Sequence, residues 1–155
     1  HPTILHDLRN TMNTKKQTEL LRSCILELFR LNNAVNSTFR SLLKDYTFEN
    51  QKEKISFPKG TQFVFFNNSV LRSITRERPN EFDPYRFLYH QEEEFYDLMF
   101  NEGPQRCPGK ELVISILTSA CRVFLSIEYT TPNKIDIMNV PALINPCSLC
   151  IDYKD

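Results

Sequence analysis

The sequence has no excess of charge of either sign, with 19 basic and 19 acidic side chains in 155 residues. That balance argues against a nucleic-acid binder, which carries a basic surplus, and no basic block with interleaved aromatics is present. Tryptophan is absent, and glycine occurs only three times, so each glycine is expected where backbone geometry demands it. Long hydrophobic runs are also missing. The longest, Leu112 to Ile127, is broken by Arg122 and by small polar residues, which makes it too short and too interrupted for a membrane span. No signal peptide is visible. Cysteine is sparse and odd in number, at five, which excludes a disulfide scaffold and favours a reducing compartment. Cys147 and Cys150 make a single C-x-x-C pair with no second pair at zinc-like spacing, a weak signal for metal or redox chemistry.

What remains is a chain long enough for one domain with a hydrophobic core. Helical spacing of apolar residues predicts a helix to about Met12, carrying Ile4, Leu5 and Leu8. A second is predicted from Gln17 to Asn32, carrying Leu20, Leu21, Cys24, Ile25, Leu28 and Phe29. Asn33 to Asp45 reads as irregular. Phe57-Pro-Lys-Gly60 reads as a turn, and its aromatic flanks, Phe48 and Phe63 to Phe66, predict a β-hairpin around it. A short helix is expected over Val70 to Arg76, and a proline-punctuated coil from Arg78 to Pro84. The acidic run Glu92 to Glu94 reads as solvated loop. A long helix is predicted from Pro108 to about Ser126, with Leu112, Ile116, Leu117, Ala120, Cys121 and Phe124 facing inward. Short strands and turns are expected after Glu128. The fold class is therefore mainly α with small β-sheets.

Two groups of residues carry chemistry. Phe100-Asn-Glu-Gly-Pro-Gln-Arg-Cys-Pro-Gly109 places Cys107 between two glycines and directly before the long helix. A helix N-terminus carries partial positive charge and free N–H groups, which favours a thiolate, and a thiolate can hold a metal. A buried structural cysteine after a turn is the other reading of the same residues. Glu27 and Arg30 share a helix face. They suit a surface ion pair, or a buried pair that fixes the helix against a loop carrying Arg86, in Phe82-Asp-Pro-Tyr-Arg-Phe87.

The order of these features resembles the C-terminal part of a cytochrome P450, the haem-thiolate monooxygenase family. A Glu-x-x-Arg helix comes first, then a Pro-x-Gly turn. Pro79-x-x-Phe82-x-Pro84-x-Arg86-Phe87 follows, and then Phe100-x-x-Gly103-x-x-x-Cys107-x-Gly109 before a long helix. The resemblance covers nearly the whole chain, so residues 1–155 would be the proximal, haem-ligand part of such a domain. It implies that Cys107 is the axial thiolate ligand of haem iron, with Phe100 beside it. It also implies that Gly103 and Gly109 admit the porphyrin, and that Glu27, Arg30 and Arg86 form a buried structural charge triad. Arg40 would be a haem-propionate partner. Residues 34–39 and the tail around Val140 to Cys147 resemble substrate-contacting segments.

This sequence departs from the family pattern at Gln105, where a basic residue is usual, leaving Arg106 as a substitute, and at Asn33-Ala34 in place of Pro-Pro. It also lacks the long distal helix that serves oxygen chemistry. The implied function is oxidation of a lipophilic small molecule with O2 and electrons from a reductase or ferredoxin, in a longer parent protein. By itself the 155-residue chain is expected to be inactive. The alternatives are a peroxide- or endoperoxide-rearranging relative, or a truncated inactive homologue. A cytosolic-facing location is implied, with any membrane anchor upstream of residue 1.

Overall fold

The computed structural model describes residues 2–75, 77–89, 98–101, 103–127, 129–130 and 152–153. Helix α1 (Pro2–Asn10) opens on proline, whose missing N–H is harmless at that position, and buries Ile4 and Leu8. Leu5, expected on the same face, is exposed. The chain reverses at Asn13, which takes a left-handed φ of 59°. Thr14 then caps α2 (Lys15–Leu31), its side chain accepting the backbone N–H of Gln17. Gln17 is fully buried at the elbow. Its amide nitrogen donates to the Leu8 carbonyl at 3.0 Å, and its amide oxygen accepts the Asn13 N–H at 3.1 Å. This extends a capping box one residue backwards and ties α1 to α2.

Two small antiparallel sheets follow. Strand β1 (Ser37–Ser41) pairs with β4 (Gln62–Phe66), with Phe39 opposite Val64. Between them, β2 (Tyr46–Glu49) and β3 (Lys54–Phe57) form a separate hairpin. Its turn is closed by Asn50, whose side-chain oxygen accepts the N–H groups of Lys52 and Glu53.

The expectation of a hairpin around Phe57-Pro-Lys-Gly60 is thereby corrected. That turn, with Gly60 at φ 87°, joins β3 to β4 across two sheets, and the hairpin turn lies at Asn50. The interval read as irregular contains β1, a strand whose partner is more than twenty residues away and so leaves no local signal.

Helix α3 (Asn67–Ile74) inserts Leu71, and α4 (Arg86–Tyr89) is a single turn. The last long helix, α5, spans Lys110–Ser126. Its N-cap is Gly109, so Pro108 lies just before the helix rather than at its first position. Tyr129–Thr130 (β5) and Asp152–Tyr153 (β6) pair antiparallel. The acidic run at 92–94, the Val140 to Cys147 segment and the Cys147 and Cys150 pair lie outside the described residues.

Helix α2 supplies both apolar clusters. Leu26 meets Leu71, Met99, Phe100 and Ile114; Leu20 and Leu21 meet Ile4, Leu8 and Leu125. The buried face of α5 is Ile114, Thr118 and Leu125, of which Ile114 and Leu125 enter these clusters. Leu112, Ile116 and Phe124, expected inward, are exposed. The helix is apolar on more than one side, so periodicity alone does not select the face that α2 covers.

Candidate functional site

Two arrangements stand out, and α2 contributes to each. The first is a charge cage. Helical spacing sets Glu27 and Arg30 on one face, and both side chains are 0% exposed. Arg30 grips the Glu27 carboxylate with two parallel bonds, Nε to Oε2 at 2.7 Å and Nη2 to Oε1 at 2.8 Å. Arg86, at the start of α4, donates its Nε to the same carboxylate at 3.1 and 3.2 Å. The Asp83 backbone N–H adds a further bond at 3.0 Å.

One carboxylate faces two guanidiniums here, which leaves a surplus positive charge. Backbone carbonyls absorb it: Arg30 donates to Pro79 and Glu81, and Arg86 donates to Glu77 and Arg78. Burial of an ion pair is tolerated when the remaining donors are satisfied in this way. The structure thus brings Arg86, distant in sequence, to the neighbouring pair Glu27 and Arg30, and the cage pins the coil of residues 77–85 to α2.

The second arrangement is the cysteine loop. Phe100 is buried and packs edge-on against Phe29, with ring centroids 5.6 Å apart. Its carbonyl accepts the Cys107 N–H at 2.8 Å, closing the loop. Inside it, residues Gly103–Gln105 make one 3₁₀ turn. Gly103 has φ 84°, a left-handed conformation costly for a side-chain-bearing residue, and its carbonyl accepts the Arg106 N–H at 3.0 Å. The product is a free, half-buried Cys107 two residues ahead of the α5 N-cap.

Cys107, Phe100 and Gly109 line a cavity of about 480 Å³ with Ala34, Leu112 and Ile116 among its walls. Leu112 is 66% exposed and Ile116 56% exposed, so this face of α5 is apolar and uncovered among the described residues. Gly103 and Arg106 sit on the exposed turn rather than in the cavity wall. Among the described residues a Cβ at Gly103 or Gly109 would meet nothing within 4 Å, so neither glycine serves a close approach to them. Arg40 lies on β1, donates to its neighbour's carbonyl, that of Phe39, at 2.9 Å, and lines a second cavity of about 190 Å³. Asn101 lines both cavities, so they adjoin. Gln105 is exposed on the turn. Lys110 places its ammonium 5.6 Å from the Phe100 ring centroid, a cation–π contact.

Sequence reasoning missed Leu112 and Ile116 as cavity wall, assigning them to the core. It also treated Asn33 as a mere departure from a pattern, whereas Asn33 is buried at the cavity edge and hydrogen-bonded through its backbone N–H and both ends of its side chain. Among the described residues no group of three or more metal-ligating side chains exists, so Cys107 is a single thiol facing an apolar space.

A mainly helical domain with small antiparallel sheets, a buried Glu–Arg–Arg cage and a cysteine presented to an apolar cavity defines the class. A family model described as Cytochrome P450 matches residues 2–126, and the chain belongs to that family. It is 27% identical to "Cytochrome P450 85A2" of Arabidopsis thaliana over 143 residues, covering 81% of this chain and 30% of that protein. It is 35% identical to a "Beta-amyrin 28-monooxygenase" of Panax ginseng over 86 residues, covering 55% of this chain and 17% of that protein. A solved structure of a cytochrome P450SP alpha variant superposes with a TM-score of 0.69 at 24% identity, covering 90% of this chain and 36% of that one, a likeness of fold. The chain thus spans about a third or less of the relatives it matches.

Haem is the prosthetic group this family implies, and the residues present fit it. The donor is one soft sulfur, that of Cys107, beside an apolar space bounded by Phe100 and the exposed α5 residues Leu112 and Ile116. A cationic side chain, Arg40, lines the adjoining cavity, where an anionic group would be matched.

Proposed function

We propose that residues 1–155 are the C-terminal, haem-ligand part of a haem-thiolate monooxygenase that oxidises a lipophilic small molecule with O2 and electrons from a reductase or ferredoxin. The observation that carries this reading is the Cys107 thiol, seated by the Phe100 carbonyl at the wall of an apolar cavity. A cysteine thiolate on haem iron pushes electron density onto the metal and favours O–O cleavage. Phe100 and Phe29 keep water from the sulfur side, Leu112 and Ile116 offer an apolar flank, and Arg40, on the adjoining cavity, is the cation for an acidic group of the cofactor, while Arg106 sits on the exposed turn and lines neither cavity.

A lipophilic substrate agrees with the apolar wall at Ala34 and Val35 and with the monooxygenase relatives. Among the described residues no helix is long and apolar enough to cross a membrane. The test is the ferrous carbonyl spectrum of the haem-loaded protein. The reading expects the red-shifted Soret band of thiolate ligation and its loss in Cys107→Ala. An unshifted band in the wild type would refute it. Turnover of a lipid peroxide without any reductant would instead favour the rearranging class.

A further inference from the structure

Asn33 follows the C-cap of α2, Asn32, and is only 6% exposed, yet it bonds to three separate residues, Asn68, Val35 and Met99. Its backbone N–H donates to the Asn68 side-chain oxygen at 2.8 Å, fixing the start of α3. Its own side-chain oxygen accepts the Val35 N–H at 3.0 Å, which turns the chain into the cavity wall. Its side-chain nitrogen donates to the Met99 carbonyl at 2.9 Å, across 66 residues of sequence. Met99 immediately precedes Phe100, whose carbonyl holds the Cys107 N–H.

A buried carboxamide with both ends engaged has one arrangement, since turning it over would oppose two carbonyl oxygens on one side and two N–H donors on the other. We infer that Asn33 is a positioning residue that couples the Ala34–Val35 wall of the cavity to the seat of Cys107. The geometry of the bonds belongs to the chain itself. Its consequence for a sulfur–iron bond rests on the haem-thiolate reading above.

The two ends of the side chain can be separated by mutation. Asn33→Asp keeps the acceptor for Val35 but sets an oxygen against the Met99 carbonyl. Asn68→Ala removes the other anchor of the same residue and leaves the Met99 bond alone. Hydrogen exchange and alkylation, resolved to the peptide containing Cys107, are measured in the full protein with and without haem. The inference expects the Cys107 amide to exchange roughly tenfold faster in Asn33→Asp, the scale of one lost buried hydrogen bond, with faster alkylation of the thiol. In Asn68→Ala both should stay at the wild-type value.

Unchanged exchange in Asn33→Asp, or an equal rise in both variants, would overturn the inference and leave Asn33 a general structural residue. If Asn33→Asp does not fold, the uncharged Asn33→Ser, too short to reach Met99, gives the same reading. Failure of the haem-thiolate reading is seen independently, as an unshifted ferrous-carbonyl band in the wild type, and it leaves the haem-free exchange result standing.

Discussion

The charge cage and the cysteine cavity sit on opposite ends of the same logic. In the cage, every arm of Glu27, Arg30 and Arg86 finds its partner within this chain. At the cavity, the walls are largely apolar, and among the described residues nothing is laid over Leu112 and Ile116. A region that is complete without a guest is a structural device. A region that leaves apolar surface and a thiol uncovered is shaped for something else to fill. In this chain one stretch serves both: α2 carries the cage on Glu27 and Arg30 and the cavity edge on Phe29, and Asn33 extends that edge just past the helix end.

Breaking the cage should have the largest effect on stability. Glu27→Ala leaves two buried guanidiniums facing one another, and a loss of about 3–5 kcal/mol is expected, read as a large drop in the thermal or urea midpoint. Within α5, the comparison sharpens to two residues. Ile114→Ala empties a packed site and should cost about 2–5 kcal/mol, whereas Ile116→Ala should change stability by no more than about 0.5 kcal/mol. Ile116→Ala should nevertheless weaken haem retention, measured by transfer of haem to an apo-globin acceptor. Equal destabilisation by the two substitutions would erase the distinction between core face and cavity face.

A smaller effect comes from Cys24, which packs against the α1–α2–α5 cluster together with Cys121. Burial, reinforced by Cys121, pushes its thiol up to about 12. The folded state therefore holds this proton when the unfolded chain has released it. Its contribution to stability is whole below the ordinary thiol value of 9.0 and falls as pH rises from there toward about 12. Denaturation midpoints against pH should fall less steeply over that window in Cys24→Ala than in the wild type. The smallest effect is expected at the surface. Arg22 and Glu111 join α2 to α5 at 3.1 Å but are largely solvated, so Arg22→Ala should cost only about 0.2–1 kcal/mol, and less at high salt.

Much of this was legible in the sequence because the signals are local. The α2 stripe of Leu20, Leu21 and Ile25, the Glu27–Arg30 spacing and the glycines around Cys107 are read within a few residues. What stayed hidden depends on distant partners. β1 is defined only by β4, and the turn at Gly60 looked like a hairpin turn because its strands' true partners lie elsewhere. Leu112 and Ile116 looked like core because apolarity records a preference for a cover, not which body supplies it. Asn33 looked like a substitution because its bond to the Met99 carbonyl spans 66 residues.

The central claim is that the sulfur of Cys107 is the protein's ligand to haem iron. X-ray absorption at the iron edge of the haem-loaded protein tests it most directly. The account predicts a sulfur scatterer in the first shell of the wild type and its disappearance in Cys107→Ala, with Cys24→Ala unchanged. A first shell of nitrogen and oxygen alone in the wild type, or a sulfur signal that survives Cys107→Ala, would contradict it.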